Sequence, residues 1–255
     1  MSVATMLSFE AEQAGQRYTA LVAAWRGIHA SALEARDFGT ARGLGRARAG
    51  AYDVARSFLD TERALLAATL RGVALEAHAH ALSIARTLSA DELPDAAHEL
   101  LSASQSYAES ELAVQIERDI ALLLKRLRAA AIDVDMIARI QGVARSAALI
   151  QHRARAGTEL RFAFKDRANR KWPSRTFVRT TWRQALLDVY NETVMASVAA
   201  IGASRVRVVT SDAPAAANGL ILTLLPGVDL PTYAEVRDAV FHPNAEAWLA
   251  PLDTD

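Results

Sequence analysis

The chain has 255 residues, of which 51% are apolar, no cysteine, and 29 basic side chains against 29 acidic ones. That length accommodates one large or two small domains with a sizeable core. The lack of cysteine excludes disulfides, thiolate catalysis and the usual thiolate zinc clusters, and no apolar run reaches the roughly 18 residues a spanning helix needs.

The zero net charge hides a strong segregation. Residues 1–117 carry 10 basic and 15 acidic side chains, residues 118–183 carry 16 and 5, and residues 184–255 carry 3 and 9. A basic middle between acidic ends implies either neutralisation within the molecule or an anionic partner for the middle. The opening MSVATMLSFEAEQ lacks a basic stretch followed by an apolar core, so no secretory signal is expected.

From residue 5 to about residue 90 the spacing predicts long amphipathic helices. Tyr18, Leu21, Val22, Trp25 and Ile28 recur at three- and four-residue steps, which places them on one face. The stretch GTARGLGRARAG (39–50) is expected to break or weaken the helix. It follows no strand and lacks a Gly-Lys-Ser/Thr ending, so it does not qualify as a nucleotide loop. Apolar periodicity resumes through Phe58, Leu65, Leu66, Leu70 and Val73. Ser89 and Glu92 stand at capping-box spacing, with Leu88 and Leu93 placed for a hydrophobic staple. Pro94 removes a backbone donor, so a bend or short turn is expected there.

Residues 97–156 carry the strongest helical signal. Leu112, Ile116, Ile120, Leu123 and Leu127 form one stripe, and Ile132, Met136, Ile140 and Val143 form another. Four to five long helices over 1–156 imply a helical arm or bundle. Beyond Gly157 the period changes to two: Leu160, Phe162 and Phe164 alternate with Arg161, Ala163 and Lys165, the pattern of a β-hairpin turning at 166–169. Pro173 favours an extended Trp172, Ser174 is placed to cap the next helix, and Gly202 to end it. Residues 205–210 read as a half-buried strand, 220–225 as a second short one, and Thr232 as the cap of a helix reaching about Val240. The expected class is mainly α, with a helical arm or bundle over 1–156 and a small α+β domain over 157–255.

Few residues here carry chemistry. His78 and His80 lie two apart on a helix, whereas helical metal sites use a spacing of four; both are expected to be partly exposed. His29, His98 and His152 are isolated. Asp188 and Glu192, four apart, read as a polar stripe or as partners for the hairpin arginines, with an acid/base pair as the other reading. No serine stands in a Gly-x-Ser-x-Gly elbow. Arg175, Arg179 and Arg183 share a helix face, with Arg170 and Lys171 just upstream. Cations at a helix N-terminus oppose its dipole, so these five are candidate contacts for an anionic partner: the acidic tail or another subunit, solvent, or nucleic-acid phosphate. Phe177 and Trp182 fall on the opposite, buried face, which leaves no aromatic platform for base stacking. His242, Pro243 and Asn244 are read as a structural turn in which His242 or Asn244 caps backbone groups.

The order of these elements is informative. Arg179-Thr180 near a helix start, Asn191, Gly202 at the helix end, the valine strand (Val206, Val208, Val209), Ser211-Asp212 and His242-Pro243-Asn244 follow one another. Over residues 160–250 this resembles the C-terminal domain of phage minor head proteins, the Mu F-like head morphogenesis and minor capsid group, whose members also have a long helical N-terminal region. The resemblance implies a structural component of the virion or procapsid, present in few copies. It implies assembly in the host cytoplasm on the portal or the major capsid protein, with self-association and packaged DNA as further contacts and no membrane. Many members carry a cysteine pair after the strand and a cysteine after His-Pro-Asn. Here residues 213–219 and 245–246 hold none, so no metal and no cofactor is carried over. Two other readings remain: a prophage head-maturation protease, for which no catalytic set can be placed, and a DNA-binding module using residues 118–183.

Overall fold

The structure, a computed structural model, describes residues 2–83, 92–156, 160–165, 168–210, 217–225, 227–242 and 244–252. Within them lie six helices: α1 (Val3–Glu34), α2 (Ala41–Leu82), α3 (Asp95–Gln141), α4 (Arg145–Ala156), α5 (Ser174–Ala200) and α6 (Tyr233–Val240). Five strands complete the fold: β1 (Ala163–Lys165), β2 (Lys171–Pro173), β3 (Arg205–Thr210), β4 (Ile221–Thr223) and β5 (Ala247–Pro251). The chain is thus mainly helical with a small antiparallel sheet near its C-terminal end, the class expected from its periodicity.

Local chemistry accounts for the helix ends. The Ser2 hydroxyl accepts the Thr5 N–H, and the Thr40 hydroxyl accepts the Gly43 N–H, so each caps a helix start. The cap at Thr40 lets α2 run straight through Gly43, Gly45 and Gly50. The glycine-rich stretch therefore opens a helix and does not interrupt it. Pro94 stands immediately before α3, where a missing N–H costs nothing. Ser89 of the expected capping box and Leu88 of the expected staple lie outside the described residues, as do Gly157, Asp166, Ser211, Asp212 and Pro243. The helical signal over residues 97–156 resolves into two helices, α3 and α4. Gly142 takes φ +63°, and the Val143 N–H reaches back to the Ala138 carbonyl, a termination that glycine alone makes without strain.

The chain forms two compact units, one from residues 1–14, 62–111 and 178–255, the other from 15–61 and 112–177. Each draws on residues before and after the expected boundary at 156, because α1, α2, α3 and α5 contribute to both.

In the unit holding residues 15–61 and 112–177, the core is aromatic. Trp25 is fully buried, donates from Nε1 to the Ala51 carbonyl at 3.1 Å, and meets Phe162 at 5.5 Å between ring centroids. Tyr18 packs edge-on against Trp25 and Phe58. The expected hairpin is present: β1 pairs antiparallel with β2, Phe164 opposite Trp172, and Asn169 in the turn takes φ +61°. Leu160 and Phe162 are buried while Arg161 and Ala163 face solvent, the alternation a one-sided strand requires. Ser174 departs from its expected role as a cap. Its hydroxyl is turned to α3, donating to Asp119 at 3.0 Å and accepting from Gln115 at 3.1 Å.

In the other unit, a three-stranded sheet has the order β4-β3-β5, antiparallel throughout. Val206 lies opposite Leu222 on one side and Pro251 on the other. Val206 and Val208 are buried, whereas Arg205 and Arg207 point outward, so the alternation read from the sequence sets the face that packs. Thr232 precedes α6 in a capping-box arrangement: the Glu235 carboxylate accepts both the Thr232 N–H and its hydroxyl. Strand β5 carries no turn or alternation signal strong enough to predict it.

Candidate functional site

The residues singled out by sequence in the C-terminal part converge on α5, in the unit that holds residues 178–255. Val178, Trp182, Leu186, Val189 and Val194 bury one side of this helix. Its polar side chains then reach out to hold neighbouring segments. Asn191, fully buried, accepts the Leu249 N–H at 2.8 Å and so ties β5 to the helix. Arg183 donates to the Ala245 carbonyl at 2.6 Å, to the Ser8 hydroxyl at 2.7 Å, and to the Ala4 carbonyl. Asp188 accepts from Arg237 of α6 at 2.7 Å, with Glu192 at 4.0 Å from the same guanidinium. Three polar clasps thus fix α6 and the segment leading into β5 against one helix.

Two clefts flank the turn that follows α6. The larger, about 540 Å³, is lined by Tyr107 and Leu100 of α3, Asp188 and Glu192 of α5, and Arg237, Asp238, Phe241 and His242. The smaller, about 320 Å³, is lined by Ser8 and Glu12 of α1, Arg179, Thr180 and Arg183 of α5, and Asn244 and Glu246. Between them the His242 carbonyl accepts the Ala245 N–H at 2.8 Å, and the His242 ring Nδ1 accepts the Asn244 N–H at 3.3 Å.

Electrostatics in the larger cleft follow from burial. Desolvation pushes the Asp188 carboxyl above its ordinary range, although Arg237 and the Gln184 amide draw it back. Burial likewise raises Glu192, which Arg237 offsets and Asp188 reinforces. Tyr107, at the cleft, has its phenol raised by desolvation and by the Glu111 and Asp188 charges. The carboxylates therefore serve Arg237 of α6.

The five candidate anion contacts fare differently. Arg170 lies over the Trp172 ring at 5.5 Å, and Lys171 and Arg175 are exposed. Arg179 is 3.6 Å from Glu12. Arg183 is buried and engaged by backbone and hydroxyl oxygens. The hydrogen-bond capacity of a guanidinium explains this, since five donors in a fixed fork can collect carbonyls from separate segments.

The histidines divide: His78 corrects its expectation, being buried with its Nδ1 2.7 Å from the Ser197 hydroxyl, whereas His80 is partly exposed as expected and meets the Tyr190 hydroxyl at 2.6 Å. Both join α2 to α5. In the other unit His152 Nδ1 lies 2.5 Å from Asp133. Burial lowers the His29 pKa, with the His152 and Arg126 charges adding to the effect.

Among the described residues no group of three or more His, Cys, Asp or Glu side chains is gathered as metal ligands would be, and no helix is long and apolar enough to cross a membrane. No protein-family model matches the chain, and neither a curated protein nor a solved structure does. What the arrangement does chemically is hold segments together: Arg183, Asp188 and Asn191 of α5 each engage a neighbouring backbone or charge.

Proposed function

We propose that the chain is a structural component of a phage or prophage head, a minor capsid or head morphogenesis protein that associates with portal or capsid. The observation that carries this reading is the use made of the hallmark residues. Asn191 holds β5, Gly202 ends α5 with φ +78°, Val206 and Val208 fill the sheet, and the His242 carbonyl and ring close the turn before β5. Residues that carry the resemblance and serve one scaffold support a module for shape and assembly. The long helices supply extended faces for contacts with other subunits.

The test is co-expression with a phage portal protein and a major capsid protein from the genome that encodes the chain, followed by sedimentation and stoichiometry. A few copies per particle, retained through a gradient, support the proposal. A chain that sediments alone and binds neither protein overturns it.

A further inference from the structure

The last third of α3 is apolar on two sides. Leu127, Ala130, Val134 and Ile137 are buried. On the opposite side, at four-residue steps, Ile132, Met136 and Ile140 are 70%, 51% and 77% exposed. The sequence marks this stripe as if it were core, yet no element of the chain covers it among the described residues. The helical rise places Ile132 and Ile140 about 12 Å apart on one line, so the three form a ridge unlike singly scattered exposed apolar residues. A helix of this kind ordinarily buries both faces in an assembly.

The charges around the ridge decide what can cover it. By helical spacing Arg128 and Lys125 stand at the N-terminal end of the ridge and Arg139 flanks its other end; all three are exposed and make no ion pair among the described residues. The acids of the same stretch already have partners: Asp133 lies 2.5 Å from the His152 ring and Asp135 2.7 Å from Arg145. An apolar ridge bordered by unmatched cations calls for an apolar stripe bordered by carboxylates. Duplex DNA would leave the isoleucines without apolar partners. A membrane surface is disfavoured because the ridge has no aromatic residue and is narrow.

We propose that the Ile132–Met136–Ile140 ridge is a docking surface for an acidic amphipathic helix of a protein partner. The partner's apolar stripe covers the ridge, and its carboxylates meet Arg128, Arg139 and Lys125. This helix-on-helix mode is read as anchors at i, i+4 and i+8, with the charges setting register and excluding basic partners. The surface stands on its own, whichever reading of the whole chain holds.

The test uses the full chain and a designed synthetic helix with a leucine stripe flanked by glutamates, labelled for fluorescence anisotropy. A twin peptide carries lysines in place of the glutamates. The glutamate peptide is expected to bind and the lysine peptide not to. Ile132→Ser with Ile140→Ser is expected to weaken binding at least about tenfold, as loss of central anchors does. Arg128→Glu with Arg139→Glu is expected to reverse the preference between the two peptides, a readout that does not depend on the serine variant remaining folded. The proposal is overturned if neither peptide binds or both bind alike. It is equally overturned if the arginine variant leaves the preference unchanged, or if the serine variant instead abolishes self-association, duplex binding or binding to phosphatidylglycerol vesicles.

Discussion

The Tyr18 hydroxyl donates a 2.7 Å hydrogen bond to the Asp119 carboxylate, joining α1 to α3 where neither side chain reaches solvent. Asp119 also accepts from the Gln115 amide and the Ser174 hydroxyl, so three donors from three helices share one buried carboxyl. Such a hub is costly to break, since each orphaned donor keeps its desolvation penalty. Asp119→Leu is expected to destabilise the chain by about 3–5 kcal/mol, as removal of one partner from a buried charged network does. Tyr18→Phe, which removes only one donor, is expected to cost about 1–2 kcal/mol. Urea unfolding measures both, and equal costs would contradict the hub.

The same carboxyl makes stability depend on pH. Burial raises the Asp119 pKa, although hydrogen bonds from Tyr18, Ser174 and Gln115 and the Arg118 charge lower it in part. Between the unfolded value, 3.8, and the raised folded value, the folded chain holds the extra proton. Stability therefore falls as pH rises through that window and levels off above it. Asp188 and Glu192, also raised, act in the same direction. Asp119→Asn keeps an acceptor but cannot ionise, so its unfolding midpoint is expected to decline less steeply over this range. A slope as steep as that of the parent chain would rule out Asp119 as a contributor.

The sequence makes the helices legible because apolar spacing reports a buried face directly: Tyr18, Leu21, Val22 and Trp25 are all core. It makes the hairpin and β3 legible by the same logic at period two. The limits are equally physical. Periodicity tells that a face is apolar, not that anything covers it, so Ile132, Met136 and Ile140 read as core and are exposed. Charge spacing tells which side chains share a face, not which carbonyls lie within reach, so the Ala4 and Ala245 carbonyls that hold the buried Arg183 are not legible from it. The pairing of Asp188 with Arg237 joins residues 49 positions apart, a contact that only the folded chain creates.

The arginines of α5 should separate by function when replaced. Arg183→Met removes the donors to Ala4, Ser8 and Ala245 and is expected to cost about 3 kcal/mol, as for buried hydrogen bonds to a charged group. Arg175→Gln, at an exposed position, is expected to stay within about 0.5 kcal/mol. Arg179→Gln loses an exposed ion pair with Glu12 and is expected to cost under about 1 kcal/mol. Thermal unfolding of the three variants orders them, and a neutral Arg183→Met would remove the clasp from the account of the fold.

Arg237 offers a test whose size changes with pH. Its guanidinium offsets the burial of Asp188 and Glu192, so Arg237→Gln leaves two carboxyls facing each other in the larger cleft. Near neutrality the variant is expected to lose about 1 kcal/mol, the scale of a partly exposed ion pair. Both carboxyls then rise further, and the folded variant takes up protons at a higher pH than the parent chain. The deficit should accordingly shrink as pH falls into the carboxyl range. A deficit independent of pH would assign Arg237 to packing alone.

Three glycines around the start of α2 provide a contrast in sterics. Gly45 lies inside the helix with nothing within 4 Å of a would-be Cβ, so Gly45→Ala is expected to stabilise by about 0.5–1 kcal/mol through the lower entropy of the unfolded chain. Gly43, one turn after the start of the loop-to-helix junction, is different. A Cβ there would collide with the Asp37 carbonyl oxygen and lie 3.1 Å from its carbon, and backbone cannot yield as a side chain does. Gly39 adds a second constraint: its φ is +80°, and a Cβ would meet the Arg145 guanidinium and stand 2.9 Å from the Ala131 Cβ. The left-handed conformation alone costs an L-residue roughly 1–2 kcal/mol, and the Arg145 side chain must also give up its hydrogen bond to the Phe38 carbonyl to make room. Gly43→Ala and Gly39→Ala are therefore both expected to destabilise, Gly39→Ala by more than its backbone conformation alone. If Gly45→Ala and Gly39→Ala shift the midpoint in the same direction, the close packing of this loop against α3 and α4 is wrong.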